Sequence, residues 1–191
     1  MNGHTESRTV PLPLARLVTD IRAAVRTGGA DNPEHTARSV ARTVAPHLGG
    51  EGLLTPEQLE PDWWSYRQHV LHVEPDGLFS IVALVWLPGQ RTAVHDHLAW
   101  CVTGVHLGAE EEIHYRLAAD GDQAHLVPIE ATVHEAGAVD FLVPPGDIHE
   151  VRNAADHTSV SIHVYGTDLR RSGSSIRRTY ALSVRAAELT G

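Results

Sequence analysis

The chain has 191 residues, enough for one domain with a hydrophobic core and short for two. Its net charge of -9 argues against a nucleic-acid partner, which would need clustered basic residues to neutralise phosphates. No apolar run reaches the roughly 18 residues that a membrane helix needs, and the first residues lack the pattern of a secretory signal. We therefore expect a cytoplasmic protein without a membrane partner.

Residues 1–60 are predicted to form a helical extension that packs on the rest of a single structural domain. Apolar residues at spacings of three and four run from residue 12 to residue 28, where glycines end the pattern. A second helix is predicted from Pro33 to about Leu48, with Asn32 as its cap, and a short third helix follows Thr55.

Residues 61–191 have a different residue pattern, which predicts strands. About ten short runs rich in Val, Ile and aromatic residues are separated by turn sequences such as EPDG, LPGQ and PPGD. The absence of a helical pattern between them indicates an antiparallel barrel or a double-sheet jelly roll. The tail from Arg170 is polar and basic, and it ends in a weakly helical stretch, YALSVRAAEL.

The fourteen histidines are the outlier in the composition. His95 and His97 are two residues apart, so on a strand they share a face and can reach one ion. This spacing alone is a weak signal in a chain so rich in histidine. The alternative is a polar strand end next to a buried thiol, because the single cysteine, Cys101, follows closely.

A later motif strengthens the metal interpretation. The segment PPGDIHEVRN contains His149 in a P-x-G-x-x-H-x-x-x-N pattern, and glycines flank the first histidine pair. Together the two motifs resemble those of the cupin superfamily across most of residues 61–168. The resemblance implies a mainly β cupin jelly roll, also called a double-stranded β-helix, in which His95, His97 and His149 hold one metal ion.

One position differs from the common cupin pattern, and the difference points to one branch of the superfamily. Cys101 stands where most cupins carry a glutamate ligand, and the chain resembles the thiol dioxygenases, the branch that includes cysteine dioxygenase and 3-mercaptopropionate dioxygenase. Ser161, His163 and Tyr165 alternate along one predicted strand and resemble the hydrogen-bonded catalytic triad of that family. The resemblance implies an Fe2+ cofactor, with a small thiol and O2 as substrates and a sulfinate as product.

The residues that would bind the substrate follow the family pattern less closely. Gln68 stands where the animal enzymes have an arginine for the substrate carboxylate, and Arg67 is adjacent. The arginine of the bacterial branch falls at Ser174 here. Nearby arginines could loop over the barrel mouth, although a solvated basic linker is an equal alternative. These nearby arginines are Arg170, Arg171, Arg177 and Arg178.

Cys101 has a further candidate role. In animal cysteine dioxygenase, a cysteine near this position is joined to the triad tyrosine by a thioether. The correspondence is offset by one residue here, which on a strand reverses the direction of a side chain. A Cys101–Tyr165 thioether crosslink and a plain buried thiol both stay open.

Two other functions fit the same histidines. One is a cupin metalloenzyme that acts on a carbon substrate, and the other is a metal- or ligand-binding cupin without turnover. A polar triad directed at the metal argues against the second. The sequence leaves the oligomeric state open between a monomer and a homodimer.

Overall fold

The structure is a computed structural model that describes residues 10–29 and 31–186. The first nine residues of the predicted extension, residue 30 and residues 187–191 at the end of the predicted C-terminal helix lie outside these ranges. Within them, no helix is long and apolar enough to cross a membrane.

Four α-helices and one 3-10 turn are present in the described residues. The helices are α1 (Leu12–Gly28), α2 (Pro33–Val44), α3 (Pro56–Leu59) and α4 (Leu169–Ser172), and the 3-10 turn is Ala45–His47.

Ten strands make up most of the remaining chain. They are β1 (Arg67–Val73), β2 (Ser80–Trp86), β3 (His95–His97), β4 (Cys101–Leu107), β5 (Ala109–Asp120), β6 (Gln123–Glu135), β7 (Val139–Leu142), β8 (His149–Asn153), β9 (Ser159–Tyr165) and β10 (Ile176–Thr179).

The second helix is shorter than predicted. Asn32 caps α2 as expected, since its side chain accepts a hydrogen bond from the His35 N–H at 3.0 Å. The α-helix stops at Val44, before the predicted Leu48, because Pro46 lacks the N–H that would continue the ladder. A 3-10 turn takes up the next residues instead.

The strands form two five-stranded sheets in which every pairing is antiparallel. The first has the order β1-β2-β9-β4-β7, and the second has the order β10-β3-β8-β5-β6. Two predicted strands, HLVPI and ATVHEA, merge into the single long strand β6, which tolerates Pro128 because it lies at the edge of its sheet. The predicted mainly β jelly roll with helices at its N-terminal end is confirmed.

The central strands of the first sheet are buried on both faces. Every residue of β2 and β9 is buried, which explains their nearly continuous apolar sequence. The outward side chains of β9, such as Ile162 and Val164, join a core with α1 and α2. Because side chains alternate along a strand, Ser161, His163 and Tyr165 all face the barrel interior.

The C-terminal segment differs from its prediction. Residues 180–186 form no helix, and Val184 makes a parallel bridge with Leu126. The basic residues before them form β10, which pairs with β3 beside His95 and His97. This polar strand has no hydrophobic signature because most of its residues are exposed.

We predict that Gly166→Ala destabilises the fold, because a Cβ there would lie 2.3 Å from Nε1 of Trp100. The Trp100 ring is buried and rigid, so overpacking should cost about 1–3 kcal/mol in the free energy of unfolding. Denaturant unfolding measures the change. Gly50→Ala is the control, since its Cβ would meet its nearest atom only at 4.0 Å, and equal stability of the two variants would contradict the prediction.

Candidate metal centre

Three histidines meet inside the barrel. His95 and His97 lie on β3, and the antiparallel register of β3 with β8 sets His149 directly opposite His95. All three side chains are buried, and one ring nitrogen from each lies within 4.8 Å of the others. The sequence prediction that these residues come together is thus matched by the geometry.

Hydrogen-bond acceptors fix the orientation of each ring. The Nδ1 atoms of His95, His97 and His149 lie 2.9 Å from the Ala93 carbonyl, 3.0 Å from Asp147 Oδ2 and 2.6 Å from Glu112 Oε1. A carbonyl or a carboxylate accepts hydrogen bonds, so each Nδ1 carries the proton and each Nε2 is left with a lone pair.

The free nitrogens are arranged for a cation. Nε2 of His95 and Nε2 of His149 are 3.2 Å apart, and with both protons on Nδ1 neither atom can donate to the other. Two facing lone pairs repel unless a cation lies between them. The donor chemistry of this site therefore fits a divalent metal ion bound by three neutral imidazoles.

Burial favours the neutral form of His95 and His149. Desolvation, followed by repulsion from His149 and His97, lowers the pKa of His95 to about 3. Desolvation also lowers the pKa of His149, against the opposing pull of Glu112. Since a metal binds the neutral ring, these two histidines need not lose protons at neutral pH.

Two carboxylates of this centre were missed by the sequence analysis. Asp147 accepts hydrogen bonds from both Nδ1 and the backbone N–H of His97, and Glu112 accepts from His149. Asp147 lies inside the PPGDIHEVRN motif and could have been noticed there. Glu112 is on β5, far from the ligands in sequence, and only the pairing of β5 with β8 brings it to His149.

The predicted triad is present as a chain of hydrogen bonds. Ser161 Oγ lies 2.9 Å from Nε2 of His163, and Tyr165 Oη lies 3.2 Å from its Nδ1. Trp86 Nε1 donates to Ser161 Oγ at 3.2 Å. Desolvation lowers the pKa of His163 to about 3, so this ring is neutral as well.

The triad and the three histidines share one cavity. It has a volume of about 40 Å³, room for a few water molecules or the reacting end of a small molecule. The residues that line it include the three histidines, His163, Tyr165, Tyr66, Gln68, Ser174, Ser175 and Ile176.

The predicted substrate contacts divide into two groups. Gln68 lines the cavity, and so does Ser174, the residue at the position of the bacterial arginine. Arg67 does not, because alternation along β1 turns it to the other face, where its Nη2 lies 3.5 Å from Asp62. Among the described residues, no arginine lines the cavity.

The arginines after the triad lie outside the cavity, so the structure does not place them where they could bind the substrate. Arg170 pairs with Asp168 at 2.9 Å and donates to the Glu74 carbonyl, and Arg171 is exposed on α4. Arg177 and Arg178 both bind the buried carboxylate of Asp96. The basic segment therefore anchors β10 and its flanks and contributes no guanidinium to the cavity.

Cys101 faces the same interior as the triad tyrosine. Cys101 on β4 is the direct cross-strand partner of Tyr165 on β9, and both residues belong to one buried cluster. Burial raises the pKa of the Cys101 thiol far above its usual value. The offset of one residue thus leaves the two side chains as neighbours, and a thioether between them stays a prediction.

Comparison with known proteins adds little to this picture. No family model matches the chain. An uncharacterised protein with a double-stranded β-helix domain from Klebsiella pneumoniae is 20% identical, with 59% of this chain and 85% of that chain covered and a TM-score of 0.42.

Two further solved structures show the same degree of likeness. A cupin 2 conserved barrel domain protein from Salinispora arenicola is 25% identical over 59% of this chain and 83% of its own, with a TM-score of 0.41. An oxalate decarboxylase from Lactobacillus farciminis, solved as a formate complex, is 14% identical over 59% of this chain and 32% of its own, with a TM-score of 0.42. Likeness of this degree says nothing about activity.

We predict that Asp147→Asn weakens metal binding at the three histidines by about 10–100-fold, because His97 loses the carboxylate that orients its ring. Titration of the metal-free protein with Fe2+ under anaerobic conditions measures the affinity. Asp156→Asn is the matched control, since the Asp156 side chain is fully exposed. Equal affinities of the two variants would contradict this role of Asp147.

Asp96→Asn should destabilise the protein. Hydrogen bonds to a charged group contribute about 1.5–3 kcal/mol, and Arg177, Arg178 and Tyr180 all donate to this carboxylate. These partners hold the pKa of Asp96 well below its usual range. A lowered folded-state pKa stabilises the protein above about pH 4, and the contribution is lost as the pH falls.

Thermal unfolding between pH 7 and pH 3 tests this prediction. The wild type should lose more stability than Asp96→Asn on acidification, so the two melting temperatures should converge. A constant difference across this range would show that the carboxylate charge is not what stabilises β10.

Proposed function

We propose that the protein is an iron-dependent thiol dioxygenase that adds both atoms of O2 to the sulfur of a small thiol. The observation that carries the proposal is the shared cavity, in which three histidine nitrogens without a carboxylate ligand face the Ser161–His163–Tyr165 triad. The overall conversion of R–SH and O2 to R–SO2H is balanced without an added reductant.

The ligand set suits this chemistry. His95, His97 and His149 would hold Fe2+, which supplies the redox chemistry between thiol and O2 when bound. Three neutral ligands leave the full positive charge of the ion in place, whereas a glutamate ligand would offset part of it. Retained charge favours binding of the thiol as an anionic thiolate.

The triad determines where the hydroxyl hydrogen of Tyr165 points. Trp86 donates to Ser161, so the Ser161 hydroxyl is free to donate its own hydrogen to Nε2 of His163. Neutral His163 then carries its proton on Nδ1 and donates to the oxygen of Tyr165. The Tyr165 hydroxyl hydrogen is left to point into the cavity, towards substrate or O2.

Burial keeps that hydrogen in place. The pKa of Tyr165 is raised well above its usual value, first by desolvation and then by Cys101. The hydroxyl is therefore a hydrogen-bond donor at all physiological pH values, and its position is set by His163. This arrangement supports a role for Tyr165 in orienting a ligand on the metal.

The cavity wall suggests how a small thiol would be recognised. Gln68 and the serines Ser174 and Ser175 offer uncharged hydrogen-bonding groups, and the volume of about 40 Å³ favours the reacting end of a small molecule. We propose a small 3-mercaptopropionate- or cysteine-like thiol, held by hydrogen bonds from these groups in place of an arginine clamp.

Oxygen uptake by the iron-loaded protein with 3-mercaptopropionate, cysteine and cysteamine tests the proposal. We expect one O2 consumed per thiol and a sulfinate product by mass spectrometry with at least one of the three. Uptake without any sulfinate would overturn the proposal and favour a cupin that acts on a carbon substrate. His149→Ala should lose both bound iron at this centre and oxygen uptake.

Tyr165→Phe should lower kcat by at least about tenfold with the iron content unchanged, because the donor to the cavity is removed while the metal ligands remain. Tyr115→Phe is the control, since the Tyr115 hydroxyl donates to Glu150 outside the cavity. Full activity of Tyr165→Phe would show that the tyrosine has no part in turnover.

A further inference from the structure

A second cluster of metal-ligating side chains lies next to the histidine centre. It consists of Glu112 on β5, His134 on β6 and Asp140 on β7, and one ligand atom from each lies within 4.8 Å of the others. His134 Nε2 is 3.4 Å from Glu112 Oε2 and 3.9 Å from Asp140 Oδ2. The second cluster lines a cavity of about 10 Å³, separate from the one that holds the triad.

A buried acidic side chain lines the same cavity without a well-aligned hydrogen bond. Glu110 is only 1% exposed, it lines this cavity, and neither of its carboxylate oxygens makes a hydrogen bond of acceptable geometry. His134 Nε2 is also buried without a hydrogen bond, because its contacts with Glu112 and Asp140 are too long or poorly aligned. Unsatisfied polar atoms that converge on one small space point to a missing ion or water.

The two oxygens of Glu112 serve different partners. Oε1 lies 2.6 Å from Nδ1 of His149 and 3.4 Å from Nε2 of His114, while Oε2 faces His134. The carboxylate can therefore orient the histidine centre with one oxygen and offer the other to a separate ion. The second cluster consequently does not compete with the first for ligands.

We infer that Glu112, His134 and Asp140 form a second divalent metal site, of a kind that takes Zn2+. Bonds of about 2.0–2.2 Å in a tetrahedral arrangement place neighbouring ligands about 3.3–3.6 Å apart. The contacts of 3.4 and 3.9 Å need to close only slightly around an ion. A cavity of about 10 Å³ accommodates one ion or water and no organic ligand.

The charges around the second cluster favour a bound divalent cation over a protonated His134. The second cluster contributes two carboxylates, and the buried Glu110 adds a third acid beside Glu112. A protonated His134 would supply a single positive charge against two carboxylates. A divalent cation neutralises two charges and gives Glu110 a metal-bound water to accept from. The inference is independent of the proposed thiol chemistry.

The site would join the two sheets. Asp140 belongs to β7 of the first sheet, whereas Glu112 and His134 belong to β5 and β6 of the second. Bound metal should therefore stabilise the barrel at this end, in addition to any effect at the histidine centre.

Metal stoichiometry tests the inference directly. Metal-stripped, tag-free protein is titrated with Zn2+ in a calorimeter, and the washed product is measured by elemental analysis. We expect two tightly bound ions per chain in the wild type, one in His134→Ala, one in His149→Ala and none in the double variant. Asp140→Asn, a smaller change at a half-exposed side chain, should also lose one ion, and His157→Ala at an exposed histidine should keep two.

Melting temperatures separate the two centres. Zn2+ should raise the melting temperature of His149→Ala, which keeps the second cluster, and should not raise that of the double variant. One ion in the wild type, or two in both His134→Ala and Asp140→Asn, would overturn the second site. Failure of the thiol dioxygenase proposal would appear as absent sulfinate in protein that holds both ions.

Discussion

The rest of this structure depends on one constraint: three buried imidazoles each have Nδ1 engaged in a hydrogen bond. A buried ring that could rotate or change tautomer would not present a fixed lone pair, and a protonated ring would repel a cation. Ala93, Asp147 and Glu112 accept hydrogen bonds from Nδ1 of the three histidines, which prevents ring rotation and fixes the tautomer. The supports come from two separate loops and from β5, so the barrel must be closed before the centre exists.

Burial of both faces of β9 likewise fixes the protonation states of the triad. Helices α1 and α2 cover one face of the first sheet, which allows every second residue of β9 to be polar on the other face without exposure to water. Low exposure keeps His163 neutral and Tyr165 protonated, and those two states decide which atom donates. The helical cover thus affects proton positions although it lies outside the cavity.

Much of the centre could be predicted because its signals are local. His95 and His97 share a strand, His149 lies in a turn-bounded motif, and strand alternation alone puts Ser161, His163 and Tyr165 on one face. Glu112 could not be predicted in the same way, since its proximity to His149 depends on how β5 pairs with β8. Long-range pairing register leaves no trace in a short stretch of sequence.

The positions of the arginines and of β10 could not be derived from the sequence for a related reason. Arg67 and Arg170 were judged by their distance along the chain from motif residues, but side-chain direction and the carboxylates Asp62 and Asp168 decide where they lie. The segment of β10 has the composition of a solvated linker, and it becomes a strand because a single buried acid, Asp96, captures it. A buried charge that recruits distant arginines cannot be recognised without the tertiary structure.

The attachment at Asp96 has a consequence for biosynthesis. Asp96 separates two of the candidate metal ligands, and its partners Arg177, Arg178 and Tyr180 are translated more than eighty residues later, since the contacts span 81 to 84 positions. While the ribosome is still extending the chain, this carboxylate has no counter-charge and β3 lacks its neighbour at the sheet edge. The candidate metal centre therefore reaches its final form only after residues 177–180 have left the exit tunnel.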